Sequence, residues 1–273
     1  MRFKTQLTTK LLESNLSGEE INLLPASYQK LGEVCLIHLN KKLEGHAALI
    51  GKTILDLFPY FAAVCVQKGI TEQERKPNVE VISGKMPKEV IITENNCKLK
   101  LNPKEIMYSH GNHAEKKRIT SLVKENEVVV DMFAGIGYFS IPIAKTHPHA
   151  KIISIEINPK AFKYLKENVR INYLSNVFPI LGDCEKIILK NTNFPKANRI
   201  LMGLIPSCKK YIPAAMRIAQ RGTVLHYHGL ARECKEAELF KDFSDYKVKL
   251  LQVKVIKSYK PHVNHACLDV LVV

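Results

Sequence analysis

The sequence of 273 residues lacks the features that mark membrane and exported proteins. No stretch approaches the roughly 18 uninterrupted apolar residues that a transmembrane helix requires. The opening segment, MRFKTQLTTKLLESNL, has no apolar core followed by a small-residue cleavage site. We therefore expect a cytoplasmic protein that does not associate with a membrane.

The sequence also lacks paired cysteines. Its 7 cysteines are odd in number and widely scattered, and none forms a C-x-x-C pair, which argues against a disulfide framework and a thiolate zinc site. A zinc site needs three or four converging ligands, and we expect His226 and His228 to face opposite sides of a strand. The sequence therefore predicts reduced thiols and no bound metal.

Acidic residues are few relative to basic ones. The 41 lysines and arginines outnumber the 26 aspartates and glutamates, so the formal net charge is +15. This charge favours phosphate-rich partners or anionic membrane surfaces, although lysine-rich surfaces also occur on thermostable scaffolds. The spread of basic residues along the chain suits a folded RNA that is held by its phosphates. Among them are Lys85, Lys88, Lys98, Lys100, Lys104, Lys209, Lys210, Arg217, Arg221, Lys257 and Lys260.

The chain divides into two regions of different pattern. Up to residue 103, apolar runs and helix-like stretches are mixed, which predicts a small α+β domain with a mobile or functional loop between Gly69 and Pro87. From residue 104 onward, β-branched runs alternate with amphipathic segments, which predicts an α/β domain with a mostly parallel sheet and helices on both faces. The candidate strands are Val128 to Val130, Lys151 to Ile155, Val177 to Leu181, Arg199 to Met202, Thr223 to Tyr227, Leu251 to Ile256 and Ala266 to Val273.

The strongest local motif is VVVDMFAGIGYFS, from Val128 to Ser140. A buried strand ends in an acid, and Gly135 and Gly137 then form a tight turn that opens a helix. Small residues at such a turn let the backbone approach a ligand at the sheet edge. Ser140 stands where a dinucleotide fingerprint would have its third glycine, and the sequence has no P-loop, so a phosphate cradle is the weaker interpretation.

Two further strands end in carboxylates. Glu156 follows the second strand and can accept both hydroxyls of a ribose, although a lone acid before a helix is also explained by the helix dipole. Asp183 follows the third strand, where it can accept a hydrogen bond from an adenine amino group. Three consecutive strand ends with acids, and glycines only at the first, predict an adenosine pocket.

The sequence resembles the S-adenosylmethionine-dependent transferases with a Rossmann-like sheet, in the archaeal and eukaryotic branch that acts on position 37 of transfer RNA. The resemblance covers nearly the whole chain and implies a class I S-adenosylmethionine-binding catalytic domain over residues 104–273, after an RNA-binding domain over residues 1–103. It implies S-adenosylmethionine as co-substrate and the anticodon region of tRNA-Phe as partner, without an obligate protein partner. The matching motifs are LLPASYQKLGEV, ERKPNVEVISG, YSHGNHAEKKRI, DMFAGIGYFSIPIAK, EINPKAFKYLKENVRINYL, GDCEKI, RILMGLIPSC, VLHYHG and SYKPHVNHACLDVLVV.

Two groups of enzymes share this branch, and two short segments distinguish them. Guanine-N1 methyltransferases typically have Asn-Leu-Pro at the tip of the fourth strand, whereas this sequence has Gly203 within MGLIP. They also tend to have Pro-Arg where this sequence has Gly111 and Asn112. The resemblance therefore implies transfer of the 3-amino-3-carboxypropyl group to 4-demethylwyosine in wybutosine biosynthesis, with release of 5′-methylthioadenosine. The alternatives are N1 methylation of guanosine 37 and a catalytically silent RNA-binding protein.

Individual residues are also candidates for specific roles in this transfer. Glu115 is a hypothetical base for the proton of the target ring, and Tyr138 beside the glycine turn is a second candidate for a catalytic role. Lys116 and Arg118 are candidates to hold the cofactor carboxylate or a phosphate, although a basic run at a helix start is often a solvated face. Arg75 and Lys76 are predicted to bind RNA. The predicted cofactor contacts are Tyr108, Ser109, Lys116, Arg118, Phe133, Gly135, Gly137, Glu156, Ile157, Asn158, Asp183, Cys184 and Gly203.

Overall fold

The structure is a computed structural model that describes residues 2–70, 77–108 and 110–273. Its contacts divide the chain into two compact units. The first unit comprises Met1–Thr93 and Lys100–His110, and the second comprises Glu94–Leu99 and Gly111–Val273. The predicted boundary after residue 103 falls within the second segment of the first unit, and it stays a prediction.

The first unit is an α+β structure around a four-stranded sheet in the order β1-β2-β3-β4. The β2 and β3 strands are parallel, and the other neighbouring pairs are antiparallel. Leu7, Leu43 and Ile54 are fully buried between the helices and this sheet. The elements are α1 (Phe3–Leu11), α2 (Gly18–Asn22), β1 (Gln29–Leu31), β2 (Val34–Ile37), a 3₁₀ helix (Lys41–His46), α3 (Ala47–Leu57), β3 (Ala63–Ile70) and β4 (Pro77–Gly84).

The prediction of a loop between Gly69 and Pro87 is wrong for its second half, residues 77 to 84. Residues 77 to 84 form the β4 strand, which pairs antiparallel with β3. Pro77 occupies the first strand position, where a missing N–H is tolerated. Pairing with β3 therefore prevails over the local abundance of loop-forming residues. Arg75 and Lys76 lie outside the described residues, so their role in RNA binding stays a prediction.

The second unit contains a seven-stranded sheet in the order β12-β13-β11-β10-β7-β8-β9. The five strands β11, β10, β7, β8 and β9 are parallel. The two remaining strands are antiparallel, since β13 runs antiparallel to β11 and β12 antiparallel to β13. Every strand predicted after residue 104 is confirmed. The elements are α4 (His113–Leu122), β7 (Val128–Asp131), α5 (Ser140–Thr146), β8 (Lys151–Glu156), α6 (Pro159–Ile171), β9 (Val177–Leu181), α7 (Cys184–Lys190), β10 (Arg199–Met202), α8 (Ile212–Ile218), β11 (Val224–Arg232), β12 (Val248–Lys260) and β13 (Val263–Val272), with 3₁₀ helices at His110–Asn112, Lys209–Tyr211 and Glu236–Phe243. Before them, β5 (Val90–Glu94) and β6 (Cys97–Leu101) form a two-stranded sheet.

Neighbouring residues on the central strands point to opposite faces of the sheet, as the strand period requires. Val129 and Leu201 pack with Ile119 of α4, whereas Val130 and Ile200 belong to the core on the other face. This confirms the α/β prediction with helices on both faces. In the described segments, no helix combines the length and the apolar character needed to cross a bilayer.

Candidate active site

The glycine turn after β7 needs glycine at two positions. Gly135 has φ +58° and Gly137 has φ +99°, a region that residues with a Cβ rarely adopt. A Cβ on Gly135 would lie 2.7 Å from Cε2 of Tyr138, and one on Gly137 would lie 2.5 Å from Cγ1 of Ile141. Any side chain would therefore clash and strain the backbone, so both positions require glycine and the turn stays narrow.

Asp131, at the end of β7, anchors this turn from inside the protein. It is 1% exposed, and its Oδ2 accepts a hydrogen bond from Ser140 Oγ at 2.8 Å. Ser154 Oγ donates in turn to Ser140 Oγ, also at 2.8 Å. Burial raises the pKa of Asp131 to about 6, against the hydrogen bonds from Ser140 and Phe133. Of the three strand-end acids, Asp131 thus has a structural role, since its hydrogen bonds hold the turn.

Glu156, at the end of β8, ties that strand to the glycine turn. Gly135 N–H donates to Oε2 at 2.6 Å, and Asn158 N–H donates to Oε1 at 2.7 Å. Burial raises the pKa of Glu156, and these backbone hydrogen bonds oppose the shift. Each oxygen retains a further lone pair, so the carboxylate can also accept hydroxyl hydrogen bonds. Asn158 caps α6 by accepting from Lys160 N–H at 2.9 Å.

Asp183 and its neighbour Cys184 lie at the end of β9. Asp183 caps α7, since its Oδ1 accepts hydrogen bonds from the N–H groups of Glu185 at 2.9 Å and Lys186 at 3.4 Å. Cys184 is buried, and burial raises the pKa of its thiol to about 12. A thiol with this pKa is protonated at neutral pH, so Cys184 is unsuited to nucleophilic attack.

Gly203, just past the end of β10, borders open space. An added Cβ would have one neighbour within 4 Å, the Cε2 atom of Phe139 at 3.6 Å, which is ordinary van der Waals contact. Phe133, after β7, packs its ring edge-on against Tyr211 with 4.9 Å between ring centroids. The carboxyl edge of β7 to β10 therefore brings together the predicted contacts Phe133, Gly135, Gly137, Glu156, Ile157, Asn158, Asp183, Cys184 and Gly203.

Lys116 of α4 lies beside the glycine turn. It is 3% exposed, and its Nζ donates to Oε2 of Glu94 at 2.5 Å. Burial lowers the pKa of Lys116, while Glu94 opposes this effect. Its Nζ lies 5.7 Å from the ring centroid of Tyr138, the residue that covers Gly135. The side chains of Lys116 and Tyr138, which both have predicted roles in the site, are therefore neighbours.

Glu115 and Arg118 form a buried ion pair. Arg118 Nε donates to Glu115 Oε2 at 2.8 Å and its Nη2 to Oε1 at 2.7 Å. The other side of the guanidinium donates to both oxygens of Asp269, at 2.6 and 3.0 Å. The carboxylate of Glu115 and the fork of Arg118 are thus engaged with each other, and contact with substrate would require them to exchange these partners. Their predicted roles stay predictions.

The ion pair continues into a chain of buried polar groups. Asp269 Oδ1 lies 2.6 Å from His226 Nδ1, and His226 Nε2 lies 2.7 Å from Nη1 of Arg199. Arg199 in turn donates to both oxygens of Glu127, at 2.8 and 3.0 Å. Although burial opposes it, the hydrogen bonds from His226 and Arg118 hold the pKa of Asp269 well below its ordinary value. We call Glu115, Arg118, Asp269, His226, Arg199 and Glu127 the buried charge chain.

The expectation that His226 and His228 face opposite sides of their strand is wrong. Residues two positions apart on a strand share a face, and both histidines lie near Cys267 of β13. Ligand atoms of Glu115, His228 and Cys267 lie within 4.8 Å of one another, as do those of His226, Cys267 and Asp269. The Arg118 guanidinium occupies this cluster as its cation, and the expectation of no bound metal stays a prediction.

Two predicted contacts lie elsewhere in the chain. Tyr108 belongs to the first unit, where it is buried and its carbonyl accepts a hydrogen bond from Gln29 Nε2 at 3.2 Å. Ser109 lies outside the described residues. Sequence reasoning did not assign a role to Asp269 or Phe139; the LDV and GYFS motifs contain them, but their partners are distant in sequence.

Comparison with known proteins finds matches over most of the chain. The chain matches the TRM5/TYW2 methyltransferase domain over residues 90–256 and the TYW2 N-terminal domain over residues 8–87. A relative from Methanocaldococcus jannaschii, tRNA(Phe) (4-demethylwyosine(37)-C(7)) aminocarboxypropyltransferase, is 34% identical over 249 residues, which are 89% of this chain and 96% of the relative.

Two further relatives extend the comparison. The tRNA (guanine(37)-N(1))-methyltransferase Trm5b of Pyrococcus abyssi is 33% identical over 264 residues, covering 93% of this chain and 77% of the relative. The crystal structure of Pyrococcus horikoshii TYW2 in complex with MeSAdo superposes with a TM-score of 0.82 at 31% identity and covers 98% of both chains. Both transferred groups are therefore represented among the similar proteins.

Proposed function

The chain belongs to the TRM5/TYW2 family, and we propose that it is a tRNA aminocarboxypropyltransferase. It transfers the 3-amino-3-carboxypropyl group of S-adenosylmethionine to 4-demethylwyosine at position 37 of tRNA-Phe and releases 5′-methylthioadenosine. The M. jannaschii relative, which is named for this activity and matches over nearly its whole length, supports the proposal.

The residues at the carboxyl edge of the sheet suit S-adenosylmethionine. Glu156 accepts the two ribose hydroxyls through the lone pairs that Gly135 and Asn158 leave available. Asp183, whose Oδ1 caps α7, directs its other oxygen to the adenine amino group. The narrow glycine turn keeps the backbone close to the end of β7, beside the nucleoside, and it stays narrow because a side chain at Gly135 or Gly137 would clash with Tyr138 or Ile141.

The observation that carries the choice of transferred group is the open space beside Gly203. The sulfonium has three carbons that a nucleophile can attack, so the product depends on which one is held in line with it. An asparagine at position 203 would fill the space that a glycine leaves. The amino acid arm can turn into this space and present the methylene next to sulfur to the target base.

The transfer needs little acid or base chemistry from the protein. A ring carbon of the target base forms a bond to the methylene next to sulfur, and the bond from that methylene to sulfur breaks. The electron pair stays on sulfur, so the leaving group is a neutral thioether, and the ring carbon then loses its proton. Since the sulfonium is already a good leaving group, holding the two reactants in line is the main contribution of the site.

The partner of this site is the anticodon region of tRNA-Phe. The net charge of +15 suits a phosphate backbone, and the target base must be turned out of its stack to reach a sheet-edge pocket. A cytoplasmic location is consistent with seven free thiols.

Labelled S-adenosylmethionine tests this proposal. The protein is incubated with S-adenosylmethionine labelled in either its methyl or its carboxyl carbon, with tRNA carrying 4-demethylwyosine or guanosine at position 37. We expect carboxyl label in the tRNA with 4-demethylwyosine. Methyl label in the tRNA with guanosine would establish the methyltransferase alternative, and no label in either, without binding of S-adenosylmethionine, would favour a silent RNA-binding protein.

A further inference from the structure

Two buried side-chain atoms stand out because they lack a hydrogen-bond partner. Among the described residues, Asn112 Oδ1 and His228 Nε2 are the buried side-chain oxygen and nitrogen atoms without one. Folded proteins pair nearly all buried polar atoms, since leaving one unpaired costs free energy. Such atoms at a candidate active site therefore indicate a ligand that supplies the missing hydrogen bonds.

His228 is buried close to the end of β10. Met202 of β10 pairs with Tyr227 of the parallel strand β11, so the next residues along the two strands, Gly203 and His228, lie beside each other. The ring of Phe139 lies 5.8 Å from the ring of His228, and Phe139 also contributes the atom nearest to a Cβ on Gly203. Phe139 therefore lies next to both His228 and Gly203.

Asn112 lies at the start of α4, which approaches His228. It occupies the N-cap position but makes no capping hydrogen bond with its side chain. Glu115 follows three residues later, and residues at this spacing are neighbours on a helix surface. A carboxylate oxygen of Glu115 and a ring nitrogen of His228 lie within 4.8 Å of each other. The two unpaired atoms thus belong to one region, where the first turn of α4 meets β11.

The protonation state of His228 limits what it can do. Its Nδ1 lies 3.0 Å from Nε2 of His265, so this pair shares one hydrogen bond. Burial, and then the charges of His226 and Arg118, lower the pKa of His228 to about 3. The imidazole is neutral at physiological pH, so its role is to donate or accept one hydrogen bond at Nε2.

We propose that Asn112 and His228 hydrogen-bond the target base and select it. Asn112 Oδ1 accepts from a ring N–H of the base, and His228 Nε2 bonds the neighbouring polar ring atom. This inference rests on the proposed function and identifies which residues read its substrate. In the proposed function, the polar groups of the nucleoside already have partners in Glu156, Asp183 and the glycine turn. The nucleophile, by contrast, must lie beyond the sulfonium, on the Gly203 side. A site that hydrogen-bonds its substrate discriminates strongly against bases that lack the matching groups.

The test compares the affinities of two tRNAs, one with 4-demethylwyosine and one with guanosine at position 37, for the wild type, Asn112→Ala and His228→Phe. We expect each substitution to reduce the preference for the modified tRNA by about tenfold, as for one lost hydrogen bond. Affinity for S-adenosylmethionine, measured by calorimetry, should change less than about twofold. The melting temperature of Asn112→Ala should stay constant or rise, because this change removes an unpaired buried atom, whereas that of His228→Phe should fall, because the hydrogen bond to His265 is lost as well.

Asn40→Ala is the matched control. Asn40 is an N-cap of the first unit whose side chain does accept a hydrogen bond, from Lys42 N–H at 3.0 Å, so its loss should lower the melting temperature and leave the tRNA preference unchanged. The inference is overturned by an unchanged preference in Asn112→Ala and His228→Phe, by a parallel loss of S-adenosylmethionine affinity, or by a fall in the melting temperature of Asn112→Ala that accounts for its loss of preference. Because affinities need no turnover, transfer of the methyl group by the wild type would defeat the proposed function without affecting this comparison.

Discussion

The two sides of the candidate active site are built in different ways. On the β7–β9 side, the carboxylates bond to groups nearer in sequence: Glu156 accepts from the N–H groups of Gly135 and Asn158, 21 and 2 positions away, and Asp131 accepts from Ser140 Oγ, 9 positions away. On the α4 side, the buried charge chain joins residues far apart in sequence: Arg118 and Asp269 are separated by 151 positions. The first side is a local motif that can bind a nucleoside, whereas the second is a tertiary arrangement that fixes α4 against β13.

Removing Arg118 should have the largest effect on stability. Arg118→Met leaves the carboxylates of Glu115 and Asp269 buried without their shared cation, and breaking such a pair costs about 3 to 5 kcal/mol. The free energy of unfolding, measured in urea, checks this. Arg170→Met is the control, since Arg170 is 77% exposed and 4.0 Å from Glu167, and it should change stability by less than about 0.5 kcal/mol. Equal effects of both substitutions would contradict the account of the buried charge chain.

The carboxyl of Asp131 should make stability depend on pH. Its pKa of about 6 in the folded protein lies above the ordinary value of 3.8, so folding favours its protonated form. The stability that Asp131 contributes is therefore fully present at low pH and is lost as the pH rises from about 4 through 6. Relative to Asp131→Asn, the wild type should lose about 2 to 3 kcal/mol of stability over this range. If the difference in unfolding free energy between the two proteins does not vary with pH, folding does not raise the pKa of Asp131, and this account of its burial is wrong.

Glu156 should matter for ligand binding more than for folding. In Glu156→Gln the charge proposed to accept two ribose hydroxyls is lost, and we expect S-adenosylmethionine affinity to fall by about 10- to 100-fold, as for hydrogen bonds to a charged group. Isothermal titration calorimetry measures this. Glu238→Gln, at an exposed position in the 3₁₀ helix Glu236–Phe243, should bind normally. Unchanged affinity in Glu156→Gln would place the nucleoside elsewhere.

Asn158 should give the smallest effect. Asn158→Ala removes the cap of α6 and should cost about 1 kcal/mol of stability, with a loss of a few-fold in S-adenosylmethionine affinity. Asn158→Ser can cap the helix again, so it should restore the melting temperature without restoring the affinity. Recovery of both together would mean that Asn158 acts only as a cap.

The same contrast explains what the sequence could predict. The strand ends, the glycine turn and Glu156 follow from local patterns, because strand period and chain direction place them at one edge. The pairing of Arg118 with Asp269 could not be predicted, since nothing local links α4 to the last strand. The loop expected between Gly69 and Pro87 failed for a related reason: its residues 77 to 84 gain a strand partner in β3.

The most direct test of the proposed reaction identifies its nucleoside by-product. Purified protein is incubated with S-adenosylmethionine and tRNA-Phe carrying 4-demethylwyosine, and the by-product is identified and quantified by mass spectrometry. The proposal predicts 5′-methylthioadenosine in a 1:1 ratio to modified tRNA, since the bond from sulfur to the amino acid arm is the one that breaks. S-adenosylhomocysteine as the product would mean that the methyl group is transferred, which would contradict the role assigned to the space beside Gly203.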